Sequence, residues 1–269
     1  MSEPESAETS PAPSTERGDD DGSVPTRNLR LVVEYDGTDF AGWQRQDGQR
    51  TIQGCLEAAV KEMTGEELFV RGAGRTDAGV HAKGQVANFR TVAKIPTGGF
   101  LRGLNAHLPP DIAVLEIADV PVAFDARYHA RGKLYRYQVL NHIVRAPLDR
   151  RTSWHCRAPL DLHAMREAAT VFIGEHDFRA FRAADCERQT TVRLLRQLEI
   201  RRAGALVTFD VEGTAFLKNM VRILVGTLVA VGRGKLTRQD LLEIQASGDR
   251  TQAGMTAPAA GLTLIRVSY

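Results

Sequence analysis

The stretch Lys133-Leu134-Tyr135-Arg136-Tyr137-Gln138-Val139-Leu140 alternates without a break. Leu134, Arg136, Gln138 and Leu140 fall on one face, and Tyr135, Tyr137 and Val139 on the other. Successive side chains of an extended chain point to opposite faces, so this period of two predicts a half-buried β-strand. Upstream, Leu29 to Tyr35 reads as a strand ended by the turn Asp36-Gly37-Thr38. Thr51 caps a helix whose stripe is Ile52, Leu56, Val60 and Met63. Strands follow at Leu68–Val70 and Gln85–Phe89, then a short helix around Leu101 and Leu104 and a strand at Ile112–Ile117. Downstream, a helix is expected over Leu162–Ile173, strands over 193–201 and 205–212, and an apolar helix over Phe216–Val231. Another helix starts at a Thr237-x-x-Asp240 cap, and Leu262–Val267 closes the chain as a strand. Each half therefore approximates β-α-β-β-α-β. That order predicts an α+β fold with antiparallel sheets flanked by helices. The halves divide near Phe124, as 28–124 and 125–269.

The chain has 269 residues, 43% hydrophobic and 25% charged, an ordinary globular composition. No apolar run approaches the roughly 20 residues of a membrane-spanning helix. The formal charge of +2 hides an asymmetry. Residues 1–27 hold seven acids (Glu3, Glu5, Glu8, Glu16, Asp19, Asp20, Asp21) and two bases (Arg17, Arg27), a net of −5, so the remainder carries +7. This segment, rich in Ser, Pro, Glu and Asp, is expected to be a disordered acidic tail, because it cannot bury enough surface to offset its ordering entropy. The basic remainder suits a polyanionic partner. Cys55, Cys156 and Cys186 are odd in number and far apart, which fits neither a disulfide framework nor a thiolate zinc site. With no apolar h-region near the start, no secretory signal is expected, and the chain reads as cytoplasmic.

The densest chemical signal is Gly72-Ala73-Gly74-Arg75-Thr76-Asp77-Ala78-Gly79-Val80-His81. Three glycines allow backbone conformations that other residues resist. A carboxylate on such a loop can act as nucleophile or base, with Arg75 near enough to set its charge or hold a phosphate. The plain alternative is a connector whose Asp and Thr satisfy their own backbone. The loop is neither GxGxxG nor a P-loop. Arg222 interrupts an apolar helix four residues after Lys218. Either both cations snorkel from a helix edge or Arg222 answers a buried carboxylate. The seven histidines show no metal-ligand spacing, and His81 is expected to hold the loop.

Eight segments in order resemble TruA-type tRNA pseudouridine synthases. They are Tyr35 to Gln46, Gly72 to Gln85, Leu104-Asn105 with Leu108-Pro109, Phe124 to Arg127, Lys133 to Tyr137, and His176-Asp177-Phe178. Phe216-Leu217 with Met220-Val221-Arg222, and Thr256 to Ala259 with Gly261-Leu262, complete the set. The resemblance implies the pseudouridine synthase fold with an active-site cleft between its halves. It also implies isomerisation of uridine to pseudouridine at positions 38, 39 and 40 of the tRNA anticodon stem-loop, by a homodimer needing no cofactor and no metal. On the matched positions it implies Asp77 as the aspartate that breaks the glycosidic bond and Arg222 as its basic partner. Tyr135 becomes the ring against the flipped uracil, and Arg75 the residue that contacts RNA and helps to evert the nucleotide. Arg127, Arg131, Lys133 and Arg136 are further phosphate-binding candidates. Two other readings stay open: a non-catalytic RNA-binding module, since repeated βαββαβ order also describes RNA-recognition domains, and a glycosidase using paired carboxylates, for which Asp77 lacks an acidic neighbour in its motif.

Overall fold

The computed structural model describes residues 26–186 and 189–269. The first half runs β1 (Arg27–Tyr35), α1 (Ile52–Thr64), β2 (Arg71–Gly72), β3 (His81–Thr91), α2 (Thr97–His107) and β4 (Ile112–Val120). The second runs β5 (Gly132–Asn141), β6 (Trp154–Cys156), α3 (Leu162–Ala169), β7 (Gly174–Asp177), β8 (Val192–Ala203), β9 (Leu206–Gly213), α4 (Met220–Gly232), α5 (Arg238–Ser247) and β10 (Leu262–Ser268). Single 3-10 turns lie at Thr170–Phe172, Arg179–Phe181 and Ala259–Gly261.

The fold is α+β, built on one 10-stranded sheet with the path β4-β1-β3-β10-β5-β9-β8-β7. β2 pairs with β3 and β6 with β5, off that path. Pairing is antiparallel except for β10 with β3 and β6 with β5. The last strand of the chain thus slots between the two halves: Leu264 lies opposite Ala82 of β3 on one side and Tyr135 of β5 on the other. One hydrophobic core extends from Leu29 to Leu264 across this seam.

Alternation sets the faces. Leu29, Leu31, Val33 and Tyr35 of β1 and Tyr135, Tyr137 and Val139 of β5 are all buried. α1 presents Ile52, Leu56, Ala59 and Val60 to this core, capped by the Thr51 side chain at its start and by left-handed Gly65 at its end. The opposite face is threaded by ion pairs, among them Arg30–Glu116, Arg136–Asp210 and Arg266–Glu212. In α4, eleven of thirteen residues are buried, so it is core rather than a surface element.

Three local expectations need correction. Leu68–Val70 is not a strand, because side chains of α1 take its backbone groups: Val70 N–H donates to Glu57 Oε1 and Val70 C=O accepts from Gln53 Nε2. The Phe216–Val231 helix begins only at Met220, since Asn219 sits at φ +60°, left-handed backbone that a helix does not propagate through. Lys218 therefore lies outside the helix and is not stacked over Arg222; it pairs with Asp185 at 2.6 Å. The acidic tail, expected over residues 1–27, lies outside the described residues up to residue 25, but its last residue belongs to β1. Arg27 pairs with Asp119 at 2.9 Å and donates to the Ile95 carbonyl.

Candidate active site

Two sequence-distant loops are knitted together before any chemistry is possible. After β1, Asp36 Oδ1 accepts from Thr38 N–H at 3.0 Å and closes a tight turn. A β-carbon at Gly37 would sit 2.0 Å from the Val80 carbonyl oxygen, so glycine is required for the backbones to touch. Gly37 N–H donates to His81 Nδ1 at 3.1 Å, which gives His81 the loop-holding contact expected of it. Gly42, at φ +103°, brings Trp43 N–H to the Thr76 carbonyl at 3.1 Å. The indole of Trp43 then lies over Gly72, where a β-carbon would come within 2.5 Å of the ring. From beneath, Tyr35 Oη and Thr76 Oγ1 are 2.8 Å apart, and Gln85 Nε2 donates to the Gly74 carbonyl at 2.9 Å. The loop 73–80 is thus gripped on both sides by buried groups, which fixes its backbone.

Asp77 opens the turn that ends this loop. Val80 N–H returns to the Asp77 carbonyl at 3.1 Å, and Gly79 takes φ +76°. The Asp77 side chain is 30% exposed and lies 3.6 Å from Arg222 Nη1, an ion pair rather than a hydrogen bond. Burial pushes its carboxyl above the usual carboxylate range, and the Arg222 and Lys218 cations pull against that rise. Arg222, on the first turn of α4, is itself held: Nε donates to the Ala257 carbonyl at 2.7 Å and Nη1 to Asn219 Oδ1 at 2.9 Å. The Ala257 segment reaches α4 because Gly226 has no side chain; a β-carbon there would meet the Met255 carbonyl at 1.8 Å.

Tyr135 and Tyr137 share a strand face but not a role. Tyr137 donates to the Pro258 carbonyl at 2.7 Å and its ring packs against Gly261, a structural position. Tyr135 packs edge-on against Phe216, with ring centroids 5.1 Å apart, and among the described residues no group hydrogen-bonds its hydroxyl. Burial, with Tyr35 and Asp77 nearby, raises the Tyr135 phenol well above its ordinary value and keeps it protonated. Arg75 is exposed, two residues before Asp77, and among the described residues no carboxylate pairs with it. The phosphate-binding candidates divide. Arg127 and Arg131 are exposed, and Lys133 Nζ lies over Gly74. Arg136 is taken by Asp210, which also pairs with Arg201.

The structure therefore brings Asp77, Arg222 and Tyr135 from three elements into one neighbourhood: the loop before β3, the start of α4, and β5. Asp185, the carboxylate whose charge reaches Asp77, is neutralised by Lys218. Paired-carboxylate hydrolysis finds no support there. Sequence reasoning missed Asn219, whose left-handed backbone and side-chain acceptor steady Arg222, and the Ala257 carbonyl. The one sequence signal was the polar Lys218-Asn219 pair interrupting an apolar run.

The family model described as tRNA pseudouridine synthase matches residues 31–129 and 168–269. The chain belongs to this family, and its activity is isomerisation of uridine to pseudouridine in tRNA. Among similar proteins, tRNA pseudouridine synthase A of Citrifermentans bemidjiense is 48% identical over 244 residues, covering 90% of this chain and 98% of that protein. The protein of that name from Myxococcus xanthus is 49% identical over 242 residues, covering 90% and 91%. A chain of a solved Cbf5-Nop10-Gar1 complex aligns over 87% of this chain and 57% of its own at 15% identity and a TM-score of 0.35, a likeness too slight to argue from.

Proposed function

We propose that the enzyme acts on uridines 38, 39 and 40 of the tRNA anticodon stem-loop, with Asp77 as the catalytic carboxylate. The observation that carries the reading is Asp77 on a rigid loop, ion-paired with Arg222 and close enough to Tyr135 to raise its phenol. Asp77 either attacks the sugar carbon or removes the C2′ proton, and both routes detach uracil at N1. The base then rotates and rejoins the sugar through C5, N1 gains a proton as C5 loses one, and no redox step or energy input enters. The Arg222 cation opposes the effect of burial and keeps Asp77 ionised and aimed. The Tyr135 ring replaces part of the stacking that uracil loses on leaving the helix, and its uncommitted hydroxyl faces the reacting carbons. Arg75, exposed beside Asp77, holds the everted nucleotide through its phosphate.

The chain works as a homodimer in the cytoplasm. The exposed apolar residues Ile143, Val144 and Leu148 offer a second copy a surface, and the three free cysteines suit a reducing compartment. Incubation with unmodified tRNA followed by carbodiimide-stop mapping tests the site assignment. Stops confined to the anticodon stem-loop support it, and stops elsewhere in the tRNA refute it. Sedimentation of the purified chain tests the dimer.

A further inference from the structure

Tyr128 is the most exposed aromatic side chain among the described residues, at 77%. Its backbone, by contrast, is firmly held. Asp125 Oδ1 accepts from Arg127 N–H at 2.8 Å and from Tyr128 N–H at 3.0 Å. Ala126, fully buried, packs against Ala73 and Val86. Ala126 N–H also donates to Asn88 Oδ1 at 2.9 Å, while Tyr269 Oη donates to the Ala126 carbonyl at 2.7 Å. Because Ala73 begins the loop that carries Asp77, these contacts tie Tyr128 to the edge of the catalytic loop.

The segment that carries the ring is flanked by cations. Arg127 and Arg131 are exposed, and among the described residues no carboxylate pairs with either. Arg196 of β8 reaches over Gly132, where a β-carbon would lie 3.0 Å from its Nη1, and Lys133 covers Gly74. Asp125, three residues before Tyr128, pairs with Arg71 at 3.1 Å. An exposed ring on a fixed backbone, flanked by cations, does not suit an apolar protein partner, which needs a contiguous apolar patch. It suits single-stranded nucleic acid, where bases stack on aromatic rings and phosphates are met by arginine.

We propose that Tyr128 stacks on an unpaired base of the tRNA beside the target uridine, with Arg127 and Arg131 taking the adjoining phosphates. This rests on the tRNA site assigned above and adds a recognition residue to it. The test compares wild type with Tyr128→Ala, Tyr128→Phe, Tyr128→Leu and Arg127→Gln for tRNA Kd, KM and kcat across a salt series, with thermal unfolding to verify folding.

Tyr128→Ala should weaken tRNA binding about 10-fold, mostly in KM, as expected for loss of one base–aromatic stack. Phe should restore binding and Leu should not, since Leu is apolar but has no π-face. The salt slope should be unchanged in Tyr128→Ala and smaller by about one in Arg127→Gln. Wild-type affinity in Tyr128→Ala, or full rescue by Leu, overturns the proposal. A change in sedimentation with unaltered tRNA affinity also overturns it, because the ring would then be covered by a second copy of the chain. In each of these cases wild-type isomerisation still stands. A wild type that leaves tRNA unmodified instead sinks the site assignment and this proposal with it.

Discussion

Replacing Arg222 by Met removes a cation while keeping most of the side-chain volume. At the observed 3.6 Å, the gross Coulomb attraction to Asp77 is about 4–5 kcal/mol at an effective dielectric near 20. With 16% and 30% of the two side chains still exposed, solvent recovers a large part of that on removal. Two further contacts disappear, leaving the Ala257 carbonyl and Asn219 Oδ1 without their charged donor. Such losses cost about 1–3 kcal/mol each where the acceptor stays buried. The expected destabilisation is about 2–4 kcal/mol, or roughly 10 °C in Tm for a chain of this size. The pH dependence has a defined sign. Burial raises the Asp77 carboxyl in the folded state, so its ionisation opposes folding above that raised value. Without Arg222 the opposition grows. The deficit should therefore be greatest near and above neutral pH and should narrow as pH falls through the folded carboxyl's titration. Turnover should drop about 100–1000-fold, as for loss of one preorganised electrostatic partner, and the acid limb of any residual activity should move to higher pH. Thermal unfolding and single-turnover assays between pH 5 and pH 9 check both halves. A variant as stable and active as wild type, with an unmoved acid limb, would show that Arg222 neither supports nor aims Asp77.

Tyr135→Phe keeps the packing against Phe216 but deletes the uncommitted hydroxyl. It should lower kcat at least about 10-fold with tRNA affinity unchanged, and an undiminished kcat would reduce Tyr135 to a wall. Residues 1–25 carry seven acids and one base, against 34 bases and 26 acids in the remainder, so they offer −6 to a body of +8. A tethered acidic segment competes with RNA phosphates through its high local concentration. Deleting residues 1–25 should tighten tRNA binding a few-fold at low salt, with the difference fading once the Debye length falls to about 10 Å and below. Superimposable salt curves would make the segment inert, and weaker binding would mean that it contacts RNA itself.

The local rules that could be read from the chain were those with local causes. The alternation at Lys133–Leu140 and the reciprocal Thr237–Asp240 cap depend on neighbouring residues, and both occur as expected. The insertion of β10 between β3 and β5 depends on pairing across more than a hundred residues, and no period in Leu262–Val267 encodes its partner. The apolar pattern runs on through Phe216 and Leu217 and so predicts too early a start for α4, while the break is a backbone angle at Asn219. At the site, loop chemistry singled out Asp77 and Arg75, and the resemblance to a known family added Tyr135. The closeness of Arg222 to Asp77 spans two halves of the fold, so the residues alone offered only a cation in need of a carboxylate. The supports beneath the loop, Tyr35, Thr76 and Gln85, were invisible because each is an ordinary strand or loop residue until the chain closes around it.

In the proposed mechanism the Asp77 carboxylate breaks the glycosidic bond of uridine in tRNA. Asp77→Asn removes the charge and almost none of the shape, and most tRNA affinity comes from backbone contacts made elsewhere. The most direct measurement is therefore paired: carbodiimide-stop mapping of unmodified tRNA after incubation with wild type or Asp77→Asn, beside the tRNA Kd of each. Wild type should leave stops at positions 38, 39 and 40, Asp77→Asn none, and the two dissociation constants should lie within a few-fold of each other. Pseudouridine formed by Asp77→Asn at a rate near wild type would contradict it.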